Sequence, residues 1–93
     1  GPVLSVTTFG QEEAEAIELV AQSGVRFIGK RLEDVRFPKG AIVGAIVRSS
    51  GEVIVPRGDA VIRENDRVLL FCLEKLIPKL ESAFIAGTKR VNV

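Results

Sequence analysis

The chain has 93 residues, 13 basic and 12 acidic, with a net charge of +1, no histidine and one cysteine. This length predicts a single domain, and the near-neutral charge argues against a nucleic-acid-binding protein, which normally presents a strongly basic face. The missing histidine removes the commonest general base, and a lone cysteine builds neither a disulfide framework nor a zinc site.

The first residues predict a short leader before the domain proper. Gly1-Pro2 resembles the remnant of a protease cleavage, so the chain is expected to be a fragment of a longer protein. Residues 3–9 alternate loosely, so we interpret residues 1–11 as this remnant followed by a linker or leading strand. Residues 12–21 give two signals: Glu and Ala favour a helix, whereas alternation around Glu18 favours a half-exposed strand. Periodicity alone predicts a helix there.

The central third of the chain alternates short apolar segments with turns. Residues 25–28 predict a short strand, and Leu32 and Val35 have the spacing of one helical turn laid on a core. Pro38 ends that turn. Residues 41–48 are apolar on both faces, which predicts a central strand covered on both sides.

The last third predicts a hairpin, a further strand and a closing helix. Gly51 is placed to turn the chain into a returning strand at residues 52–55, and residues 67–73 form another apolar strand. Residues 74–84 predict a helix whose apolar stripe recurs every four residues, with Pro78 in its first turn. We therefore predict a small α+β domain: a mostly antiparallel sheet, a short helical turn after the first strands, and a C-terminal helix. Residues 85–93 are interpreted as a tail.

Catalytic and metal-binding patterns are not found in the sequence. No glycine-rich phosphate loop is present, and Cys72 lies in an apolar strand, where a buried and inert thiol is expected. Asp59, Glu64 and Asp66 lack the spacing of a calcium loop and are interpreted as turn formers. No apolar run reaches the ~20 residues of a membrane helix. The sequence thus predicts a protein that is neither an enzyme nor inserted directly into a membrane.

One stretch carries a family resemblance. Residues 40–71 read GAIVGAIVRSSGEVIVPRGDAVIRENDRVLLF, an apolar strand ending in Arg48, a glycine turn, a short strand ending in Pro56, then Asp59 and the pair Asp66-Arg67. This pattern resembles the TrkA carboxy-terminal domain, the second lobe of RCK (regulator of potassium conductance) proteins. The resemblance covers residues 12–84, looks closest to the last lobe of two-repeat TrkA proteins, and implies a strand, not a helix, at residues 13–21.

The resemblance implies a cytoplasmic regulatory lobe of a bacterial potassium-uptake gating subunit of the Trk or Ktr type. Such lobes form homodimers within a gating ring, peripheral to the inner membrane through a potassium-translocating subunit. The lobe itself holds no cofactor; NAD or ATP/ADP is expected on an amino-terminal lobe absent from this sequence. Two alternatives remain: a cyclic di-AMP sensor, or the same lobe serving another cation or anion transporter. The implied ligand-binding residues are Leu32, Arg36, Lys39, Ile42, Val43 and Pro56, and two copies of Arg36 and Lys39 across a twofold axis could hold an anion.

Overall fold

The computed structural model describes residues 3–9, for which only the backbone is considered, and residues 14–85. The strands are β1 (Val3–Phe9), β2 (Ala14–Val20), β3 (Ala41–Val47), β4 (Val53–Ile54) and β5 (Arg67–Leu73); 3₁₀ turns at Leu32–Asp34 and Glu74–Leu76 and a short helix α1 (Ile77–Ala83) complete the described elements. The strands form one antiparallel sheet in the order β1-β2-β5-β3-β4. The predicted α+β fold, with its early helical turn and closing helix, is confirmed.

Of residues 12–21, which give both a helix and a strand signal, residues Ala14–Val20 form strand β2. It lies inside the sheet, between β1 and β5, and pairs with β5 along its whole length. Ile17 and Leu19 are fully buried on one face. Glu18 points to the other face, where its Oε2 forms an ion pair with Arg67 Nη2 at 3.2 Å. Pairing on both sides outweighs the helical preference of Glu and Ala, so the helix expected from periodicity is wrong and the strand implied by the resemblance is right.

The strand expected at residues 25–28 is also wrong. The backbone there runs through consecutive turns, with Ile28 N donating to Val25 O at 3.2 Å and Lys30 N donating to Phe27 O at 3.0 Å. Phe27 is buried and packs edge-on against Phe84, with ring centroids 4.8 Å apart. The apolar residues of this segment therefore fill the core beside α1 and do not join the sheet.

Strand β3 is the long apolar strand that the sequence predicts, but the described residues cover only one of its faces. Ile46 on the inner face is fully buried, whereas Ile42 on the outer face is 66% exposed. A bulge between Val43 and Ala45 places Gly44 where an added Cβ would overlap the Phe71 ring. The expectation of burial on both faces is therefore not met at Ile42.

The hydrophobic core lies on one side of the sheet. Leu80 and Phe84 from the α1 end of the chain pack there against Ile17, Val68 and Leu70. Pro78 lies in the first turn of α1, as predicted, where a missing N–H costs least. The helix and the 22–38 segment cover one face of the sheet, and no other helix or strand among the described residues packs on the opposite face.

A buried ion pair joins the end of β3 to the turn before β5. Arg48 Nη1 donates to Asp66 and, at 2.7 Å, to the carbonyl of Val61. Asp66 also accepts the backbone N–H of Arg63 at 2.7 Å, and its side chain is only 1% exposed. These bonds fix the 61–66 segment against the sheet, and that segment in turn supports one wall of the site described next.

Candidate ligand cavity

A cavity of about 330 Å³ opens beside the first half of β3. Its walls are formed by Leu32, Glu33, Phe37, Ala41, Ile42, Val43, Pro56, Arg57 and Gly58. Four of the six residues predicted to bind a ligand therefore meet in one place: Leu32, Ile42, Val43 and Pro56. Arg36 and Lys39 are exposed and do not line the cavity. The structure thus brings together the apolar part of the predicted site but not its two cations, and ligand binding itself stays a prediction.

Two walls of the cavity are held side by side by backbone hydrogen bonds. Leu32 N donates to Ala60 O at 2.8 Å, and Glu33 N donates to Gly58 O at 3.0 Å. Just before them, Arg31 forms an isolated antiparallel bridge with Val61. The 3₁₀ turn therefore lies along the 58–61 segment, which is why Leu32 and Pro56, far apart in sequence, face the same space.

The floor of the cavity comes from the incomplete pairing of β3. Strand β4 pairs with β3 only at Ile46↔Ile54 and Val47↔Val53. The first half of β3 consequently has β5 on one side and borders the cavity on the other. A hairpin that separates early is what makes room for the cavity, and Pro56, which cannot donate a ladder hydrogen bond, suits that separation.

The charged groups at the cavity are Glu33 and Arg57, and Glu33 is already engaged. Arg31 Nη1 lies 3.0 Å from Glu33 Oε1, and Arg31 Nε donates to Asp34 Oδ2 at 3.0 Å. The hydrogen bond and charge of Asp34, followed by the charge of Glu33, raise the pKa of the Arg31 guanidinium above its ordinary value. Because Arg31 offsets the Glu33 carboxylate, Arg57 is the cation that the lining offers to an anionic ligand.

The lining suits binding more than chemistry. Apolar side chains dominate it, and its volume is at the lower end of the range for small-molecule sites. It contains no cysteine, serine or histidine that could act as a nucleophile or base. Across residues 14–85, where side chains are described, no group of three His, Cys, Asp or Glu residues could hold a metal ion. The cavity is shallow and open to solvent, and Arg57 lies at its apolar lining.

Comparisons with known proteins agree on one family. The family model for the TrkA-C domain matches residues 16–85. A relative from Methanosarcina mazei, Trk system potassium uptake protein TrkA homolog 1, is 40% identical over 82 residues, covering 88% of this chain and 18% of that protein. The Haemophilus influenzae Trk system potassium uptake protein TrkA is 34% identical over 88 residues, covering 90% of this chain and 19% of that protein. This chain belongs to the TrkA-C domain family.

A solved structure supports the same fold. The chain entitled "Structure of RCK domain with cda" superposes with a TM-score of 0.67 at 23% identity, and the match covers 75% of this chain and 97% of that one. The TrkA-C domain described here spans about a fifth of the length of the curated relatives that it matches. In the part of the chain that the structure describes, no helix is both long enough and apolar enough to span a bilayer.

Sequence reasoning missed Arg57, Phe37 and Glu33 as parts of the TrkA-C cavity. No motif in the sequence marks Arg57 or Phe37 as part of a binding site. Their place depends on the pairing of the 3₁₀ turn with the 58–61 segment, a contact with no periodic signature in sequence. The one local signal is Gly58, where an added Cβ would lie 2.7 Å from Glu33 Oε2. A glycine at this position lets the backbone of the 58–61 segment lie close to the Glu33 side chain.

A second, larger cavity contains none of the predicted ligand residues. It has a volume of about 530 Å³ and is lined by Leu73, Glu74, Lys75 and Pro78, where β5 passes into the closing helix. The TrkA-C resemblance assigns no role to these positions, and the lining places one carboxylate and one ammonium group beside two apolar side chains.

Proposed function

We propose that this TrkA-C domain is the regulatory lobe of a Trk- or Ktr-type potassium-uptake gating subunit. The observation that carries this proposal is the match of residues 16–85 to the TrkA-C family, with relatives named for Trk potassium uptake at 34–40% identity. In the proposed assembly the lobe works in the cytoplasm, next to a potassium-translocating membrane subunit. It contributes by pairing with a second copy and by sensing a small ligand.

The physical logic of the proposal is a shift in populations. A ligand moves a gate only if it binds one arrangement of the lobes better than another. The cavity lined by Leu32, Ile42, Val43 and Pro56 supplies a binding surface without catalytic groups, as such a sensor requires. Binding of NAD or ATP/ADP would fall to an amino-terminal lobe outside this chain, and the TrkA-C domain itself would need no cofactor.

A lobe exchange tests the main proposal. This chain would replace the corresponding lobe of Haemophilus influenzae TrkA, to which it is 34% identical, in cells that depend on the Trk system for potassium. We expect the chimera to restore growth at limiting potassium, while a TrkA lacking the lobe does not. A chimera that accumulates normally and yet gives no more uptake than the lobe deletion would contradict the proposal.

The finer candidate is a sensor of cyclic di-AMP. Two observations favour it: four predicted contact residues share one cavity, and the matched RCK structure is entitled "with cda". The cavity, at about 330 Å³, has room for one base and its sugar. The second half of a cyclic dinucleotide would then occupy the same cavity of a second copy. A lobe that instead serves another cation or anion transporter is the remaining candidate.

Calorimetry tests the ligand. Titration of the TrkA-C domain with cyclic di-AMP should give heat at half a ligand per chain, because each ligand would bridge two copies. Arg57→Ala should weaken binding about tenfold or more, as expected for a lost charge-assisted contact. Arg36→Ala is the matched control, since Arg36 lies outside the lining. Equal losses in both variants would favour the two-cation site expected from sequence, and the absence of heat with the unmodified chain would rule out this ligand.

A further inference from the structure

The Glu33 carboxylate lies at the wall of the cavity, and its two oxygens have different surroundings. Oε1 lies 3.0 Å from Arg31 Nη1. Oε2 faces Gly58, and a Cβ added to that glycine would lie 2.7 Å from it. Within residues 14–85, whose side chains the structure describes, Oε2 accepts no hydrogen bond. One oxygen is therefore held by a cation, while the other is a hydrogen-bond acceptor that a ligand can use.

Three local features place this acceptor at the cavity lining. Glu33 N donates to Gly58 O at 3.0 Å, which brings the two residues side by side in the cavity wall. The ion pair with Arg31 anchors the far end of the Glu33 side chain. The missing side chain at residue 58 leaves the space into which Oε2 extends. A backbone bond, a charge and a glycine thus act together on the position of Oε2.

A carboxylate oxygen selects ligand groups by their hydrogen-bond polarity. It accepts an N–H but has no proton to donate to a carbonyl oxygen. Adenine carries an exocyclic amino group at the position where guanine carries a carbonyl oxygen. A purine with a carbonyl there would place two acceptors against each other, which is a means of rejecting a wrong ligand. Arg31 offsets the charge of Glu33, and Arg57 lines the same cavity, so the wall is not a purely anionic surface for a nucleotide.

We propose that Glu33 makes the cavity select a purine with an exocyclic amino group over one with a carbonyl group at the same position. The proposal rests on the proposed function, in which the cavity takes cyclic di-AMP, and adds the residue that determines which base is accepted. The Glu33 side chain is 49% exposed, so water competes for the bond. One such bond should therefore favour the amino group about threefold to tenfold. Because the ligand would present one base to each of two cavities, the two preferences multiply, to about tenfold or more.

Calorimetry with cyclic di-AMP and cyclic di-IMP tests the proposal, because in the second ligand a carbonyl replaces each exocyclic amino group. The unmodified chain should bind cyclic di-AMP about tenfold or more tightly than cyclic di-IMP. Glu33→Gln presents either a donor or an acceptor and should reduce this ratio to about threefold or less. Gly58→Ala should reduce it as well, because the new Cβ displaces Oε2. Gly58 is not among the glycines with positive φ, so alanine suits its backbone.

The matched control is Asp34→Asn. Asp34 is the neighbouring carboxylate, 52% exposed and paired with the same Arg31, but it lies outside the cavity lining. This variant removes the same charge as Glu33→Gln and should keep the full ratio. Circular dichroism checks that each variant folds, and Glu33→Gln and Gly58→Ala perturb the same oxygen by independent routes.

Each result decides between the proposals. A ratio that falls in Glu33→Gln and Gly58→Ala but not in Asp34→Asn supports selection by Glu33. Equal affinities of the unmodified chain for the two ligands, or a ratio that Asp34→Asn lowers as much as Glu33→Gln does, overturn this selection and leave cyclic dinucleotide sensing standing. If neither ligand gives heat, selection by Glu33 and the cyclic di-AMP candidate are both overturned, while the lobe exchange still tests the role in potassium uptake.

Discussion

The buried ion pair between Arg48 and Asp66 offers the sharpest test of what holds the fold together. The Arg48 side chain is 11% exposed and that of Asp66 is 1% exposed. Asp66→Ala would leave the Arg48 guanidinium buried without its carboxylate, and Arg48 Nε already has no hydrogen-bond partner among the described residues. It would also remove the acceptor of the Arg63 N–H.

The expected loss is large for a domain of this size. Removing one partner of a buried ion pair costs about 3–5 kcal/mol, because the remaining charge stays in a poorly solvated place. A chain of 93 residues has a free energy of unfolding of about 5–14 kcal/mol. Asp66→Ala should therefore lose about a fifth or more of the free energy of unfolding, and a domain at the lower limit of stability should be partly unfolded at room temperature.

Urea unfolding followed by circular dichroism measures this loss. The matched control is Arg67→Ala, which breaks the half-exposed pair with Glu18 and should cost about 0–1 kcal/mol. The double variant Arg48→Met/Asp66→Leu should recover part of the loss, since neither charge is left alone. If Asp66→Ala costs no more than Arg67→Ala, burial of the Arg48–Asp66 pair does not make its loss more costly than that of a half-exposed pair.

Three further predictions concern packing and the buried thiol. Gly44→Ala should destabilise the fold by about 1–3 kcal/mol, because the new Cβ meets the Phe71 ring. An unchanged midpoint of urea unfolding in this variant would refute the prediction. Leu80→Ala should cost about 2–5 kcal/mol because Leu80 is fully buried in the core, and a loss below 1 kcal/mol would contradict its central place. Burial, and secondarily the charge of Glu15, raises the pKa of the Cys72 thiol above 9.0, so its contribution to stability is present below about pH 9 and is lost at higher pH. Cys72→Ala should therefore lose less stability than the unmodified chain between pH 7.5 and pH 10.

The fold could be predicted from sequence where local patterns and tertiary pairing agree. Strands β3 and β5 and the proline in the first turn of α1 follow from apolar runs and backbone chemistry alone. Strand β2 did not, because Glu15 and Glu18 give it a helical composition, and its partner β5 lies about fifty residues further along the chain. Residues 25–28 were predicted wrongly for the opposite reason: their apolar side chains Val25 and Phe27 belong to the core, while their backbone is bonded in local turns and not in a ladder.

The candidate site was predictable in its apolar part and not in its charges. Leu32, Ile42, Val43 and Pro56 came from a family resemblance, and they meet in one cavity. The two predicted cations, Arg36 and Lys39, lie outside the lining, whereas Arg57 is brought in by backbone bonds between the 3₁₀ turn and the 58–61 segment. Proximity in sequence to an apolar wall does not tell which charged side chain faces the cavity, because the side chains of successive residues point in different directions.

Ile42 lines the cavity and is also 66% exposed. If a second copy covers Ile42 in the proposed dimer, the shape and solvation of the cavity differ between monomer and dimer. A ligand would then bind the two states with different affinities, and that difference is the condition for a ligand to shift their populations. Linkage makes the effect reciprocal, so the ligand would strengthen pairing by the same free energy by which pairing strengthens ligand binding. A weak interface suits this role better than a strong one, because a dimer that is already complete leaves the ligand nothing to shift.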